Sequence, residues 1–446
     1  MKVLYHAGMY NPAPVPSYWE ATANRDVPLG NSLSGNDACD VAIIGGGFTG
    51  LSAALHLARD FNLDVRVLDG GPMGWGASGR NGGFCCLPAT KLSIKQMIGK
   101  YGLEETRKFW ASQLDGVDLV RSLAGDEGID YDLQGDGNLE VAHRPSAFED
   151  LREYGEQLKS LFGINSHLYR REEFAEIGFD SQEQFGALKI ESGFALHPLK
   201  FSLGLAAAAQ RHGATLYPNS LVTHWEKTDG RHVLRTEQGS LTANKVIVAT
   251  NGFTREGMHR AFDKRMLPVI SNILVTRPLS DDELAAQKWQ TEMPVVNTRN
   301  LLFYFRMLKD RRFMIGARGD WTGAPEDAEK MKTWLTRRVG EVFPAWRNAE
   351  VDYFWRGFVC MTRKFSPSLG QDADDPSLFY GYAFHANGVN TAPWVGMKLA
   401  EMVAGKDGVE ATIPAVLRGH APRFPFAGLR LWYLRASAAY YRWQDD

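Results

Sequence analysis

The chain has 446 residues, enough for two domains and a large hydrophobic core. Its contents of 44% hydrophobic and 23% charged residues are typical of a soluble globular protein. A formal net charge of −2 excludes a strong positive field of the kind that attracts nucleic acids and anionic membranes, so we predict no nucleic-acid partner.

Cysteine usage and the lack of export signals predict a cytoplasmic location. The four cysteines, Cys39, Cys85, Cys86 and Cys360, show no zinc-binding spacing, so no metal site is predicted. The adjacent pair Cys85 and Cys86 suits a reducing compartment better than a disulfide framework. Residues 1–35 lack the basic start and apolar core of a signal peptide, and no apolar run is long enough to span a bilayer. The oligomeric state is left open.

The first 35 residues form a unit of their own. They are rich in Pro, Asn, Ser and Gly, and Pro12, Pro14 and Pro16 are closely spaced. This composition predicts an extended leader on the surface of the protein, anchored by residues 17–20.

A dinucleotide-binding pattern follows the leader. Residues 41–44 read as a buried parallel strand, and Gly45, Gly47 and Gly50 follow at G-x-G-x-x-G spacing before a predicted helix over residues 51–59. Such a turn lets a pyrophosphate approach the helix N-terminus. A second strand, Val65–Leu68, ends at Asp69, where an acidic side chain accepts hydrogen bonds from an adenosine ribose. At this point FAD and NAD are both open.

The next segments predict a close backbone contact and then a layer of helices. Seven of the fifteen residues from Gly70 to Phe84 are glycine, which predicts a loop whose backbone lies near something flat or charged. Helical patterns cover residues 103–124 and 146–161, with a predicted hairpin over residues 131–141 between them.

The second half of the chain predicts more of the first sheet and a second, antiparallel one. A helix over residues 199–212 leads into a meander of short strands, and a further buried strand over residues 245–249 stops at Thr250-Asn251-Gly252. A turn before a helix over residues 395–403 carries Gly388, with Asn390 or Thr391 as its cap. The strands predicted for the second sheet, which carries a pocket, are residues 270–276, Val295–Asn297, residues 301–307 and residues 312–317.

Four blocks resemble the D-amino-acid oxidase family of FAD-dependent oxidoreductases, and the leader, the second block and the tail look most like its γ-glutamylputrescine oxidases. The blocks are the glycine fingerprint with Asp69, the loop over residues 74–83, the strand end at residues 246–252, and residues 355–370 continuing into the Gly388 turn. The resemblance implies an α/β fold: a Rossmann-like FAD-binding domain of the glutathione-reductase type, with a second α+β substrate domain built on an antiparallel sheet. The implied division is a leader (1–35), an FAD-binding domain (36–95, 193–262 and 351–412), a substrate domain (96–192 and 263–350) and a helical tail (413–446).

The resemblance also implies FAD as the cofactor, with the Gly388 turn directing its helix N-terminus at the ring edge that gains negative charge. Most relatives have Glu where this chain has Asp69. The residues it assigns to the flavin are Gly45, Gly46, Gly47, Phe48, Thr49, Gly50, Asp69, Gly70, Gly76, Ala77, Ser78, Arg80, Asn81, Gly82, Gly83, Phe84, Val222, Thr250, Asn251, Gly252, Gly388, Val389, Asn390 and Thr391.

Substrate contacts are predicted for Tyr304, Arg306, Trp355 and His385, with Phe84 beside them. Arg306 is a candidate for holding a substrate carboxylate, with an ordinary ion pair as the alternative. His385 is a candidate for hydrogen bonding the flavin or the substrate, with backbone satisfaction as the alternative. No dedicated base is required, because a pocket of low dielectric lowers the pKa of the substrate amine.

Three further features leave alternatives open. Cys360-Met361 resembles the stretch through which sarcosine oxidases attach FAD, but non-covalent FAD is favoured over a bond to Cys360. Met314 aligns with the lysine that sarcosine oxidases use for oxygen, so either another cation, such as Arg318, serves or oxygen is not the main acceptor. The basic, aromatic tail over residues 422–446 either packs on the protein or lies on a membrane surface, and packing is favoured.

The function predicted is oxidation of an amine or amino acid by hydride transfer to FAD, giving an imine, with oxygen as acceptor and hydrogen peroxide as product. A γ-glutamylated polyamine or a related primary or secondary amine is the substrate that the resemblance favours. The rival hypotheses are an amine dehydrogenase with another acceptor, a flavin-binding protein without turnover and, more distantly, an NAD-only dehydrogenase.

Overall fold

Two eight-stranded sheets organise the chain, whose computed structural model describes residues 3–445. The first has five parallel strands at its centre, as the buried strand before the glycine-rich turn predicted. In spatial order its strands are Ser368–Gln371, Leu378–Tyr382, Gly239–Val248, Gly35–Ile44, Val65–Leu68 and Thr215–Tyr217, and Arg231–Arg235 and His224–Thr228 continue from Gly239–Val248.

The predicted strand–turn–helix unit is confirmed. The strand Gly35–Ile44 buries both of its faces, because Val41 and Ile43 belong to one hydrophobic core and Ala42 and Ile44 to the core on the other side. Helix Phe48–Phe61 follows at once, longer at both ends than predicted. The end of the predicted meander and the predicted strand over residues 245–249 are one continuous strand, Gly239–Val248.

The second sheet is antiparallel except for one parallel pair, Val295–Asn297 with Asn138–Val141. Its antiparallel character was predicted, and the two strands that make the parallel pair lie far apart in the sequence. The strands in spatial order are Val351–Met361, Leu267–Pro278, Arg312–Arg318, Tyr304–Met307, Val295–Asn297, Asn138–Val141, Ala187–Ile190 and Ser166–Tyr169. A two-stranded ribbon, Phe84–Cys85 with Phe194–Ala195, stands apart from both sheets.

Two predictions about the second sheet need correction. Residues 351–412 were assigned to the FAD-binding domain, but Val351–Met361 pairs with Leu267–Pro278 at the edge of the second sheet, so we propose that this strand belongs to the substrate domain. The sequence of a strand does not indicate which sheet the strand joins. The hairpin over residues 131–141 is also wrong, because Asn138–Val141 pairs with neighbours distant in sequence while Gln134 bridges to Ala195.

Helices cover the first sheet and one face of the second. Helices Phe48–Phe61, Pro198–Arg211, Leu103–Asp126 and Gly388–Val403 share one hydrophobic core with the first sheet, and Pro325–Val342 packs on the second. Within residues 3–445, no helix is both long and apolar enough to cross a bilayer. The other helices are Tyr18–Thr22, Ala77–Arg80, Ile94–Tyr101, Pro145–Phe162, Arg171–Ala175, Asp281–Ala286, Val409–Thr412 and Arg430–Asp445.

Both ends of the chain pack against the body of the protein. The predicted surface leader buries Tyr5 and Trp19, so it is part of the fold and not only a covering strand. The tail helix Arg430–Asp445 is fastened at its start by Arg430, which pairs with Glu256 at 2.6 Å, while Trp432 remains 65% exposed. These contacts show the tail packing on the protein, which was the alternative favoured from the sequence.

Candidate cofactor and substrate site

A large cavity lies between the two sheets. Its empty space, including the open mouth, is about 2450 Å³. Its walls come from the turn after Gly35–Ile44, the segment over residues 75–91, the end of Gly239–Val248, the turn before Gly388–Val403, and one face of the second sheet. Segments far apart in the sequence therefore meet around one space.

The glycine turn forms one end of this cavity. Gly45 has φ +114°, a conformation that favours glycine, and a Cβ on Gly50 would lie 1.9 Å from the carbonyl oxygen of Gly45. Gly47 is the N-cap of helix Phe48–Phe61, so its own side chain supplies no cap. The helix therefore begins open towards the cavity, which Gly47, Phe48 and Thr49 line.

Asp69 holds this turn in place. Its carboxylate accepts hydrogen bonds from the backbone N–H of Gly46 at 2.6 Å and of Gly71 at 2.9 Å. Burial raises the pKa of Asp69 to about 6, against the lowering effect of those two hydrogen bonds. The Asp69 side chain also lines the cavity, so the residue that stabilises the turn is part of the cavity wall as well.

The segment after Asp69 was predicted to be a loop, but Ala77–Arg80 forms one helical turn in it. Ser78 Oγ accepts from the backbone N–H of Phe48 at 2.8 Å, which joins this segment to the glycine turn. Two tryptophans fix its carbonyls: Trp355 Nε1 donates to the oxygen of Arg80 at 2.8 Å and Trp19 Nε1 to that of Asn81 at 2.9 Å.

Arg80 places a positive charge in the wall of the cavity. Its Nε donates to the carbonyl oxygen of Trp75 at 2.8 Å, and its guanidinium lies 4.8 Å from the centre of the Trp75 ring. The Nη2 atom is buried without a hydrogen-bond partner, and burial lowers the pKa of Arg80 to about 10. A buried cation without a carboxylate partner fits an anionic ligand.

A strained turn leads into the second helix that opens on the cavity. Ala383, His385 and Ala386 all have positive φ, at +64°, +51° and +85°. Helix Gly388–Val403 then begins without a side-chain cap, and Gly388 and Val389 line the cavity. The start of this helix is fixed from behind, because Asn390 and Thr391 hydrogen-bond to Gln113 in helix Leu103–Asp126.

His385 is buried at the edge of the cavity. Its Nε2 lies 3.3 Å from Thr362 Oγ1, and its Nδ1 has no hydrogen-bond partner in the described part of the chain. Burial lowers the pKa of His385 to about 3, and the charges of Lys91, Lys364 and Arg318 act in the same direction. The ring is therefore neutral at physiological pH and has one nitrogen free for a ligand.

One face of the second sheet forms the opposite wall. Tyr304 stands at its centre, where its hydroxyl lies 2.9 Å from Ser271 Oγ and its ring meets Phe84 edge to face at 5.5 Å. The ring lies across Gly316 on the next strand, where an added Cβ would lie 2.0 Å from the Tyr304 Cζ. The glycine therefore leaves the space that the tyrosine fills.

Three charged side chains line the cavity near this wall: Lys91, Glu140 and Arg318. Burial raises the pKa of Glu140 to about 7, against the lowering effect of Lys91. Burial and the charge of Arg318 lower the pKa of Lys91 to about 8, and burial lowers that of Arg318. Sequence reasoning missed Lys91 and Glu140, and it named Arg318 only as one possible cation. A charged residue between Leu139 and Val141 in an apolar strand was the one available signal for Glu140.

The structure brings most of the predicted site residues to this cavity. Arg306 is an exception: its Nη2 donates to the oxygen of Leu196, its guanidinium lies 5.4 Å from the centre of a Trp19 ring, and it does not line the cavity. Its predicted carboxylate contact stays a prediction. Trp355 supports Arg80 from behind and does not line the cavity. Gly46, Gly50, Gly83, Gly252, Asn390 and Thr391 are likewise outside the lining. Those in it are Gly45, Gly47, Phe48, Thr49, Asp69, Gly70, Gly76, Ala77, Ser78, Arg80, Asn81, Gly82, Phe84, Val222, Thr250, Asn251, Tyr304, His385, Gly388 and Val389.

These features define a class of protein. Two helix N-termini and the unpaired Arg80 guanidinium face one elongated cavity, and they suit a dinucleotide with a pyrophosphate and an electron-accepting ring. The same cavity also reaches the Tyr304 wall. The chain is therefore built as a dinucleotide-dependent oxidoreductase.

Comparison with known proteins narrows this class. The family model DAO, described as "FAD dependent oxidoreductase", matches residues 40–402, and the chain belongs to this family. It is 32% identical over 439 residues to the gamma-glutamylputrescine oxidoreductase of Escherichia coli (strain K12), covering 96% of this chain and 98% of that protein. It is 30% identical to the probable oxidoreductase OrdL of Haemophilus influenzae, covering 88% and 89%.

Solved structures agree on the fold. The glycine oxidase from Geobacillus kaustophilus superposes with a TM-score of 0.68 at 23% identity, covering 83% of this chain and 96% of that one. The family match makes the chain an FAD-dependent oxidoreductase. The prediction that FAD is the cofactor is confirmed.

Proposed function

We propose that this enzyme oxidises an amine carried on an elongated substrate to an imine, with oxygen as the acceptor and hydrogen peroxide as the product. The first substrate to test is γ-glutamylputrescine, because the relative named for it matches almost the whole chain. The observation that carries the proposal is the continuity of one cavity from the glycine turn to the Tyr304 wall. It has room for a cofactor and for a substrate beside it.

Bound FAD supplies the two-electron acceptor, and the residues of the chain supply its position and surroundings. The helix starts at Gly47 and Gly388 would hold anionic groups of the cofactor, and Arg80, which lines the same cavity, would add a positive charge. Tyr304 and Phe84 form an aromatic wall against which a substrate carbon chain packs. This wall excludes water from the reacting C–N bond.

Proton handling at the reacting amine needs no charged histidine. His385 is neutral, so it accepts or donates one hydrogen bond without adding charge. The amine must lose its proton before it gives up hydride, and an enclosed aromatic wall favours the neutral form over the ammonium. His385 therefore serves as a positioning residue in this proposal.

The choice of oxygen as acceptor rests on the cations in the cavity. Met314, which aligns with the lysine that sarcosine oxidases use for oxygen, is fully buried in the hydrophobic cluster that contains Trp19 and Trp355, and it does not line the cavity. Its lack of charge is therefore no argument against oxygen. Lys91 and Arg318 do line the cavity and supply positive charge there.

The experiment is anaerobic mixing of the purified holoenzyme with γ-glutamylputrescine, putrescine, glycine and sarcosine, with flavin absorbance as the readout. We expect bleaching by at least the first, followed by fast reoxidation and stoichiometric hydrogen peroxide when air is admitted. Bleaching with slow reoxidation in air would favour a dehydrogenase with another acceptor. A flavin that none of these or a wider set of amines bleaches would contradict the proposal.

We also propose that FAD is held without a covalent bond. Cys360 lines the cavity, but burial raises the pKa of its thiol far above the ordinary value, so little of the reactive thiolate is present. Acid precipitation should therefore release the flavin into the supernatant from the wild type and from Cys360→Ala alike. Flavin that stays with the wild-type pellet but leaves the Cys360→Ala pellet would contradict this proposal.

A further inference from the structure

Three charges at the substrate end of the cavity have no partners within the protein. Lys91, Glu140 and Arg318 all line the cavity, and among residues 3–445 none of the three side chains forms an ion pair or a hydrogen bond. Arg318 Nη1 is buried without any partner, and Lys91 is exposed where it lines the cavity. The other charged residues of the second sheet that lie in long strands are paired, as Arg312 is with Asp310 and Arg356 with Asp320.

The arrangement of these charges follows from the strand register. Glu140 lies opposite Val296, Val296 lies opposite Tyr304, and Arg318 is two residues beyond the position opposite Tyr304. Glu140 and Arg318 therefore stand on the same face of the sheet, with their Cα atoms about 16 Å apart, three strand spacings across the sheet and two residues along it. Lys91 comes from a different wall of the cavity. Its charge lowers the pKa of Glu140, and the charge of Arg318 lowers the pKa of Lys91.

A charge that is partly removed from water and has no partner carries a desolvation cost, so the half-buried Glu140 and Arg318 call for a ligand with charges of its own. Lys91 is exposed at the cavity wall beside them and adds a second positive charge. Two cations and one carboxylate of the protein match a ligand group that bears one carboxylate and one ammonium. The two cations bind the ligand's carboxylate, and the protein's carboxylate binds the ligand's ammonium. The ammonium held by Glu140 is a different amine from the one oxidised, because an amine fixed as ammonium is in the wrong protonation state to give up hydride. The reacting amine must therefore lie elsewhere on the same molecule.

We propose that Glu140, Lys91 and Arg318 form a recognition site for an amino-acid head group: Arg318 and Lys91 hold its carboxylate and Glu140 holds its ammonium. The substrate is then an amine joined by a carbon spacer to a zwitterionic head. This inference rests on the proposed amine oxidation and names the class of substrate for it. Tyr304, between the acid and the arginine on the sheet, packs against the spacer.

The test uses the holoenzyme and four putrescine amides that differ only in the head: the γ-glutamyl amide, the glutaryl amide without the ammonium, the 4-aminobutanoyl amide without the carboxylate, and the butanoyl amide without either. The readout is kcat/KM from flavin reduction. In the wild type, we expect each loss of a head charge to lower kcat/KM by about 10- to 100-fold, the range for a hydrogen bond between charged groups.

Variants of the three residues test which of them binds the ammonium and which bind the carboxylate of the head group. In Glu140→Gln, removing the ammonium from the substrate should change kcat/KM less than about 3-fold, while removing the carboxylate keeps its full effect. In Arg318→Gln the pattern should be reversed, and Lys91→Gln should weaken the carboxylate effect. Lys95→Gln is the matched control, because Lys95 is exposed beside the same segment and does not line the cavity. Flavin content must equal that of the wild type in every variant.

The outcomes separate this inference from the proposed function. If no amide bleaches the flavin, the proposed function has failed. If all four amides reduce the flavin with the same kcat/KM, the enzyme oxidises amines but the head-group site is wrong. If Glu140→Gln slows all four amides equally, Glu140 accepts the proton of the reacting amine and the ammonium pole is wrong.

Discussion

The two ends of the cavity are built from different materials. The cofactor end consists mainly of backbone: a glycine turn, two helix starts and a segment whose carbonyls are held by Trp19 and Trp355. The side chains of Asp69 and Arg80 supplement it. The substrate end consists of side chains, among them Lys91, Glu140 and Arg318, presented by a sheet and a neighbouring segment. A backbone site accepts any ligand of the right shape and dipole, whereas side chains on a sheet select by charge. Relatives of one fold can therefore share the first end and differ at the second.

Breaking the backbone end should have the largest effect. In Gly47→Val, the added Cβ would lie 2.7 Å from Ser78 Oγ, and the γ-methyl groups would fill the space at the start of helix Phe48–Phe61. We expect flavin per mole of purified protein to fall at least about 10-fold, which corresponds to roughly 1.4 kcal/mol or more of binding free energy. Flavin absorbance of the purified protein measures it.

The same substitution elsewhere provides the control. Gly99→Val lies in helix Ile94–Tyr101, where an added Cβ meets nothing within 4 Å, so flavin content should stay at the wild-type level. Circular dichroism should show that both variants are folded. Full flavin occupancy in Gly47→Val would mean that the pyrophosphate does not use this turn.

A smaller effect is expected at His385, which lies between the two ends. Burial lowers its pKa to about 3, so its charge does not change above about pH 4. The rate of flavin reduction should rise with pH as the substrate amine loses its proton, and His385 itself should add no step near the ordinary histidine pKa of about 6.5. A step near pH 7 from Glu140, whose pKa burial raises to about 7, should be the same in the wild type and in His385→Asn. His385→Asn should lower kcat/KM less than about 10-fold and keep the same midpoint, because the loss of a true general base costs roughly 100-fold or more.

The lowered pKa of His385 also has a consequence for stability. The unfolded chain binds a proton at this histidine below about pH 6.5, and the folded chain does so only near pH 3, so protonation favours unfolding in that window. The stabilising effect of the neutral residue is present above pH 6.5 and is lost as the pH falls. Urea unfolding should therefore show the wild type losing stability relative to His385→Asn between about pH 6.5 and 4.

The difference between the two ends also explains what the sequence was able to predict. The glycine spacing, the strand before it and Asp69 are local, so their geometry could be inferred from neighbouring residues. Arg80 and Gly388 were identified through family resemblance, since nothing local directs them to the same cavity. Lys91, Glu140 and Arg318 lie in distant segments, and only the pairing of Asn138–Val141 with Val295–Asn297 brings Glu140 onto the same face as Tyr304. Arg306, two residues from Tyr304, has its guanidinium against Leu196 and Trp19, which strand alternation alone does not predict.

The smallest effect should come from relieving strain at the backbone end. Ala386 has φ +85°, a left-handed conformation that costs a non-glycine residue about 1 kcal/mol, and Ala386→Gly removes that cost. Glycine also gains freedom in the unfolded chain, which takes back roughly 0.4 to 1 kcal/mol, so the free energy of unfolding should rise by less than about 1 kcal/mol. Ala285→Gly, at an exposed position in helix Asp281–Ala286, should instead lower it by about 1 kcal/mol. Equal losses in the two variants, measured by urea unfolding of the holoenzymes, would show that the turn before Gly388 stores no strain and that the cofactor end is held by its hydrogen bonds alone.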